Sequence, residues 1–256
     1  MGDRGYVEHL FIKQERKQPL LPCDSVNLLE RYGIERNINS DRSSPRQVLV
    51  VNAQDLNSLS ITPGELRENI VLKDVDANYF KPGAKLVFSD GAAIRLTFYC
   101  EPCKRVEHLV NSLKSIEHKR GILGVVIQEG KIAQGDRVTI KPDYFPALSE
   151  IPYERFLELV KQIPEGRVIT YRQILTSIGV DRSYYRVMPI YIKKAPLSYP
   201  IHRILDSQGR SITHIPHHRE KLAAEGVEIK SDRTIQSWQN HLWQNPSICY
   251  SKINTG

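Results

Sequence analysis

Apolar and polar residues in the first half of the chain follow the pattern of short β-strands. Segment 47–52 is a short apolar run typical of a buried strand, and others alternate between apolar and polar positions. The predicted strands are 47–52, 84–88, 93–98, 124–127 and 137–140. Turn sequences rich in Gly lie between them, and helical patterns in this half are short, as at 106–116. This spacing predicts a β-rich barrel or sandwich.

The second half has the periodicity of helices. Segment 153–163 places four apolar side chains on one helical face: Phe156, Leu159, Val160 and Ile163. Pro164 and Gly166 end that helix, and two further helices are predicted at 171–177 and 183–194. Two short helices around a Gly-containing turn have the proportions of a helix-turn-helix.

The change of pattern at 141–146 predicts a linker between two domains. We expect a β-rich barrel domain at 1–145 and a mainly α, helix-turn-helix or winged-helix-like domain at 150–232. A tail follows at 233–256. Because it carries two tryptophans, it is interpreted either as a docking helix or as a frayed end, and it is a candidate surface for protein partners.

Charge is unevenly distributed between the two halves. The net charge is +7, of which 151–256 contributes +6 (15 Lys+Arg against 9 Asp+Glu) and 1–150 contributes +1 (21 against 20). A basic domain beside a neutral one indicates a polyanionic partner, although a merely soluble basic surface gives the same numbers. No apolar stretch is long enough to span a membrane, and the charged N-terminus does not resemble a signal peptide, so we expect a cytoplasmic, nucleoid-associated protein.

One string in the second half, IPEGRVITYRQI at 163–174, carries a family resemblance that continues through Arg186 and the sequence PIHRI at 200–204. It resembles the DNA-binding domain of the O6-alkylguanine DNA alkyltransferases and the alkyltransferase-like proteins. The resemblance implies that Tyr171 presses on a backbone phosphate and that Arg186 fills the space of a flipped nucleotide. The alternative is a packed tyrosine and an ion-paired arginine. Further expected nucleic-acid contacts are Arg172, Lys193 and Arg203.

The reactive position of that family holds the wrong residue for alkyl transfer. Alkyltransferases have a cysteine between the proline and the histidine, where this chain has Pro200, Ile201 and His202. The resemblance makes Glu225 the residue that orients His202. Because Ile201 cannot act as a nucleophile, we expect a non-catalytic alkyl pocket formed by these four residues. The chain also departs from the family at Ile201, where alkyltransferase-like proteins commonly have Trp, and in the sequences MP at 188–189 and AP at 195–196.

Several strings of the first half together resemble the MOSC domain of molybdenum-cofactor sulfurases, a β-rich barrel. They include PGELRENI at 63–70, KPGA at 81–84, PC at 102–103 and GKIAQGD at 130–136. The resemblance implies that Cys103 is the catalytic residue, which holds sulfur or binds molybdenum, and the alternative is an inert buried cysteine. Cys100 makes a C-x-x-C pair with it, which would be a redox pair or half of a metal site.

The same resemblance makes the molybdenum cofactor the candidate cofactor, although the residues alone do not identify one. Arg36, Arg46 and Asn69 are the residues expected to bind it, and the arginines also suit a nucleic-acid phosphate. The family often has Gly-Asp and then His after the position of Glu35, whereas this chain has RNIN at 36–39. The loss of a carboxylate and an imidazole weakens the case for cofactor binding.

Three functions remain open from the sequence. The first is a non-catalytic module that binds alkylated or modified nucleic acid, DNA in preference to RNA, joined to a MOSC domain. The second is a MOSC-type enzyme that uses Cys103 and is targeted to nucleic acid or nucleotides. The third is a pair of interaction domains with no chemistry. The histidines at 214, 217 and 218 are expected to be a surface loop near phosphate, because no Cys or carboxylate completes a metal site at a familiar spacing.

Overall fold

The protein is described by a computed structural model that covers residues 3–15, 18–230, 234–235 and 237–250. These residues form two compact units that divide between Glu150 and Ile151. No helix of the described residues is long and apolar enough to cross a membrane.

The first unit is a closed seven-stranded barrel with short flanking strands. Its strands are β1 (Asp3–Ile12), β2 (Leu21–Cys23), β3 (Ser25–Leu29), β4 (Gly33–Ile34), β5 (Val48–Asn52), β6 (Ile70–Lys73), β7 (Lys85–Phe88), β8 (Ala93–Tyr99), β9 (Ile122–Gln128), β10 (Gly130–Ala133) and β11 (Arg137–Lys141). The ring runs β1–β6–β5–β9–β8–β7–β11, and β11 pairs with β1 to close it. Only the β5–β6 pair of this ring is parallel among the described strands. The predicted β-rich barrel is confirmed.

Strand β5 explains how the barrel buries its sequence. Val48 and Val50 belong to the apolar cluster formed by the barrel strands. Leu49 and Val51, on the opposite face, pack in a second cluster with Leu56 of helix α1 (Ala53–Leu59). Because both faces of β5 are covered, the strand is apolar at consecutive positions rather than at alternate ones.

The predicted helical segment 106–116 forms two 3-10 turns, Glu107–Leu109 and Leu113–Ile116, instead of one helix. The Ser112 side chain accepts a hydrogen bond from the backbone N–H of Lys114 and so starts the second turn as a new element. Val106, which precedes the first turn, and Ile116, which ends the second, belong to the same apolar cluster as Leu49 and Val51.

The second unit is mainly helical, as predicted. Its elements are α2 (Pro152–Lys161), β12 (Ile169–Thr170), α3 (Tyr171–Ser177), α4 (Met188–Lys194), β13 (Ile204–Leu205), α5 (His218–Ala224) and α6 (Trp238–His241). The predicted apolar face of α2 is buried, and α3 has the predicted bounds. The predicted helix 183–194 is divided into a 3-10 turn at Arg182–Arg186 and α4. Strands β12 and β13 pair in parallel.

The described part of the tail packs onto the second unit. Trp238 and Leu242 contact the apolar cluster that includes Val168 and Leu222. Trp243 donates its backbone N–H to the carbonyl of Val168 at 2.8 Å. The predicted tail 233–256 is therefore docked where it is described, while residues 233, 236 and 251–256 lie outside the described residues.

Candidate nucleic-acid interface and basic cavity

Helix α3 fixes Tyr171 at its first position. Thr170 and Gln173 form a capping box, in which the Thr170 hydroxyl accepts from the Gln173 N–H and the Gln173 side chain accepts from the Thr170 N–H. Tyr171 is half-buried, and burial, with a further contribution from Asp206, raises the pKa of its phenol from 10.0 to about 12. Its hydroxyl therefore remains protonated and can donate to a phosphate oxygen. Arg172 beside it is exposed.

Arg186 ends the 3-10 turn that leads into α4. The turn begins at Asp181, whose carboxylate accepts from the Ser183 N–H at 2.7 Å. Arg186 is exposed, as is Lys193 on α4. Neither has a carboxylate partner among the described residues, so both cations are free to meet an anion.

The predicted alkyl pocket brings Ile201, His202 and Glu225 together. Ile201 is 6% exposed and begins a 3-10 turn, Ile201–Arg203, which follows Pro200. His202 Nε2 donates to Glu225 Oε1 at 2.7 Å. The histidine–carboxylate pair implied by the family resemblance is thus present, beside an alkyl side chain that cannot attack carbon.

Arg203 is bound to the same carboxylate. Its Nε lies 2.9 Å from Glu225 Oε2 and its terminal nitrogen lies 2.8 Å from Oε1, while its other terminal nitrogen donates to the carbonyl of Ile163 at 2.5 Å. A nucleic-acid contact by Arg203, which stays a prediction, would require this two-point ion pair to open. Burial raises the pKa of Glu225, but hydrogen bonds from Arg203, His202 and the Gly166 N–H outweigh it and lower the pKa from 4.5 to about 2.

The histidine-rich loop has one buried member. His218 Nδ1 accepts from the Ile212 N–H at 3.0 Å, and burial lowers the pKa of its imidazole. His214 and His217 are exposed. Across the part of the chain that is described, no group of three or more His, Cys, Asp or Glu side chains is arranged to hold a metal ion.

Cys103 lies in the loop that follows β8 and is partly exposed, whereas Cys100 is only 2% exposed. All four cysteines are free thiols. The Arg46 guanidinium lies 3.8 Å from Cys100 Sγ and 2.8 Å from Glu101 Oε2. Burial raises the pKa of the Cys100 thiol, although the positive charges of Arg120 and Arg46 act to lower it. Of the two cysteines, Cys103 is the one that a ligand can reach.

The other predicted cofactor residues have different surroundings. Arg36 is exposed in a left-handed backbone conformation, with φ of 59°. Asn69 is buried, accepts from the Leu49 N–H at 3.1 Å and donates to the Phe11 carbonyl at 3.1 Å. Its amide therefore joins barrel strands, and its role toward a cofactor stays a prediction.

A basic cavity of about 340 Å³ in the first unit contains residues that the sequence did not indicate. Its cationic lining consists of Lys13, Arg67 and Arg105, with His108 beside them. Lys13 is 6% exposed, and burial together with Arg67 and Arg105 lowers the pKa of its ammonium. None of these three cations has a carboxylate partner among the residues that the structure describes. Of these residues, Arg67 lies within the MOSC-like string 63–70, so the sequence contained a signal for this one cation.

A closed barrel followed by a mainly helical unit defines a two-domain protein. Two family models match the chain. Residues 42–139 match the MOSC domain, and residues 152–227 match the DNA-binding domain of 6-O-methylguanine DNA methyltransferase. The chain thus combines a MOSC domain with an alkyltransferase-type DNA-binding domain, and both resemblances found in the sequence are confirmed.

Solved structures also resemble the chain. The YUAD protein from Bacillus subtilis is 18% identical, with a TM-score of 0.49 over 55% of this chain and 98% of its own. YiiM from Geobacillus stearothermophilus is 14% identical, with a TM-score of 0.46 over 73% and 98%. S. pombe Atl1 in complex with damaged DNA containing O6-carboxymethylguanine is 25% identical, with a TM-score of 0.32 over 36% and 94%. No curated protein sequence matches the chain.

Proposed function

We propose that the second unit binds DNA and recognises alkylated or otherwise modified nucleotides by flipping them, without alkyl transfer, and that the MOSC domain accompanies this activity. The observation that carries the proposal is Ile201 beside the intact His202–Glu225 pair. An alkyl side chain leaves a site that can receive a flipped base but has no nucleophile to dealkylate it. With DNA as the partner, the protein would act at the nucleoid.

Three features support nucleic-acid binding in this unit. The family model for an alkyltransferase DNA-binding domain covers 152–227. The half of the chain from 151 onward carries a net charge of +6. Tyr171 starts α3 with its hydroxyl protonated, and Arg186 is exposed without a carboxylate partner in the described chain. A phosphate-directed donor and a free cation are what extrusion of a nucleotide requires.

The absent chemistry is tested with a duplex that contains one O6-alkylguanine. We expect the protein to bind this duplex more tightly than the unmodified one and to leave the adduct on the DNA. Mass spectrometry should find the protein mass unchanged after incubation. An alkylated side chain at this site would contradict the proposal, and so would equal affinity for the two duplexes.

Flipping is tested by comparing Arg186→Ala with Lys193→Ala on a duplex that carries 2-aminopurine at the target position. Fluorescence should rise when wild type binds and should stay quenched with Arg186→Ala. Lys193→Ala should keep the fluorescence rise, weaken binding to all duplexes equally and reduce the salt slope by about one unit if it contacts a phosphate. Uniform loss of affinity in both variants without a fluorescence change would indicate an ordinary helix-turn-helix binder.

A second candidate function is a MOSC-type activity through Cys103, with the basic cavity, whose lining includes Arg105 two residues further along the chain, as the site for an anion. The buried and unpaired Lys13 fits an anionic group, and together with Arg67 and Arg105 it would hold the phosphate of a molybdenum cofactor. The thiolate of Cys103 would be a soft ligand for the metal. Once bound, that cofactor would supply molybdenum redox or sulfur-transfer chemistry. The departure at 36–39 counts against this candidate.

Metal analysis and thiol labelling test this second candidate. Stoichiometric molybdenum, or a persulfide mass increment on Cys103, would support it. A working Cys103 should also react with a mild alkylating probe near neutral pH faster than Cys23, whose thiol has its pKa raised by burial and by Asp24. Slower labelling of Cys103 than of Cys23, with no molybdenum and no persulfide, would make this domain a scaffold.

A further inference from the structure

Helix α4 exposes an apolar pair beside its two lysines. The helix buries Met188 and Ile192, and its Tyr191 ring packs against Tyr153 and Phe156, so positions 189, 190, 193 and 194 are left on the outward side. Pro189 is exposed, and Ile190 is 51% exposed. The lysines at 193 and 194 share this outward side. The outward face of α4 is therefore half apolar and half cationic.

The surroundings of this pair indicate a polyanion as the occupant of the face. Residues 182–205 contain five Lys or Arg and no Asp or Glu. Four of these cations, Arg182, Arg186, Lys193 and Lys194, are exposed, and none has a carboxylate partner in the described ranges. An acid-free surface of unpaired cations is complementary to the phosphates of nucleic acid.

Contact with phosphates does not bury the side chain of an exposed isoleucine favourably, because only an apolar surface removes it from water at a gain in free energy. In duplex DNA the apolar surfaces are the stacked faces of the bases and the methyl groups of thymine. Proteins that bend DNA insert residues such as Pro, Ile, Leu and Met between base pairs, where the side chain replaces one base as the stacking partner. The Pro189–Ile190 pair has the chemistry and the exposure for such insertion.

We propose that Pro189 and Ile190 form an apolar wedge that enters the base stack of duplex DNA and bends it beside the nucleotide addressed by Arg186. This inference rests on the proposed function, because it needs DNA bound at the same unit. Ile190 follows Arg186 by four residues, across the junction between the 3-10 turn Arg182–Arg186 and α4, so both side chains belong to one short exposed segment. Arg186 and the wedge would thus act on neighbouring steps.

The wedge explains how flipping becomes easier at this site. A step already opened by Ile190 has lost part of its stacking, so the neighbouring nucleotide has less stacking to lose when it leaves the helix. Pyrimidine–purine steps unstack most easily, so TA and CA/TG steps next to the target should be preferred. The wedge therefore adds a sequence preference that phosphate contacts alone do not give.

The test measures bending by energy transfer between dyes at the ends of a duplex of about 20 base pairs with a central TA step. Wild type should bend this duplex by an angle in the range of roughly 20–90°. Ile190→Ala should lose at least half of the bend and the preference for TA over AA steps, while Ile190→Met should keep both. Ile151→Ala is the matched control, because Ile151 is 55% exposed in the same unit but outside α4. Thermal unfolding verifies that each variant is folded.

The outcomes separate this inference from the proposed function. If no duplex is bound by wild type, the proposed function fails, and the wedge fails with it. If DNA is bound but stays straight, or if Ile190→Ala bends it as wild type does, only the wedge is overturned. A loss of affinity in Ile190→Ala that appears with thymine but not with deoxyuridine, at an unchanged bend angle, would overturn the wedge in favour of a methyl contact.

Discussion

A single carboxylate, that of Glu225, joins three segments of the second unit. It accepts hydrogen bonds from His202, from the guanidinium of Arg203 and from the backbone N–H of Gly166. Arg203 in turn donates to the carbonyl of Ile163, two residues after the end of α2. The His202–Glu225 pair therefore has a structural role that does not depend on a nucleophile at position 201.

This arrangement predicts how stability depends on pH. Because the folded pKa of Glu225 is about 2 and its ordinary value is 4.5, the carboxylate stabilises the folded state above about pH 4.5, and this contribution is lost as the pH falls toward 2. Glu225→Gln should therefore be less stable than wild type at pH 7, by an amount that shrinks between those two values. Denaturant unfolding of both proteins across this range measures the gap. A gap that does not change with pH would show that the charge contributes nothing.

Single residues show where sequence reasoning succeeds and where it stops. His202 and Glu225 were found by their order in a family string, and the structure brings them within 2.7 Å. Arg203 was expected to contact nucleic acid, which stays a prediction, and the sequence did not indicate that its side chain binds Glu225. The spacing along a chain does not show which way a side chain points. Lys13 was missed because its neighbours in the cavity are distant in the sequence.

At the scale of elements, local chemistry decides what can be predicted. The start of α3 is set by the Thr170–Gln173 capping box, which depends only on neighbouring residues, so this bound was predictable. Strand β1 was missed. Its register shifts between Val7 and His9, so Glu8 and His9 are both partly buried and the alternation that marks a strand is broken. A bulge is decided by the partner strand, which a local pattern does not contain.

The tail contacts the turn at Gly209 through Trp238, and this contact gives a prediction about stability. Gly209 has a φ of 78°, and a β-carbon there would lie 2.5 Å from the ring of Trp238. Gly209→Ala should therefore destabilise the protein by about 1–3 kcal/mol, through backbone strain and through displacement of the tryptophan. Thermal unfolding monitored by tryptophan fluorescence measures this change.

Gly226→Ala is the matched control for this change. Gly226 has nearly the same φ, 77°, but among the described residues no atom beyond its chain neighbours lies within 4 Å of its added β-carbon. It should show the cost of backbone strain alone, so the excess in Gly209→Ala reports the contact with Trp238. Equal destabilisation of the two variants would mean that the tail does not stabilise this turn.

At the scale of the whole molecule, the change of hydrophobic pattern and the charge asymmetry both anticipated two units. Their division between Glu150 and Ile151 follows the segment 141–146, where period-2 patterns give way to helical ones. Closure of the barrel was not predictable to the same degree. It depends on the pairing of β1 with β11, whose residues are more than 100 positions apart.

The last prediction asks whether nucleic-acid binding depends on the overall charge or on the basic face of the second unit. Lys193→Glu and Lys131→Glu each reverse one exposed lysine and each lower the net charge of +7 by two. Lys193 lies on α4, whereas Lys131 lies on β10, a flanking strand of the first unit. If the acid-free face of α4 binds the phosphates, Lys193→Glu should weaken duplex binding several-fold at low salt and Lys131→Glu should leave it nearly unchanged.

The difference between the two variants should become smaller as salt is added, because screening acts on contacts between exposed charges. Fluorescence anisotropy with a labelled duplex, measured for wild type and both variants over a series of salt concentrations, gives the affinities and their slopes. Lys193→Glu should also have the shallower slope, since it no longer releases the counterions of one phosphate contact. Equal losses of affinity in the two variants would assign the binding to long-range attraction by the net charge. The proposal that α4 contacts the DNA would then be wrong.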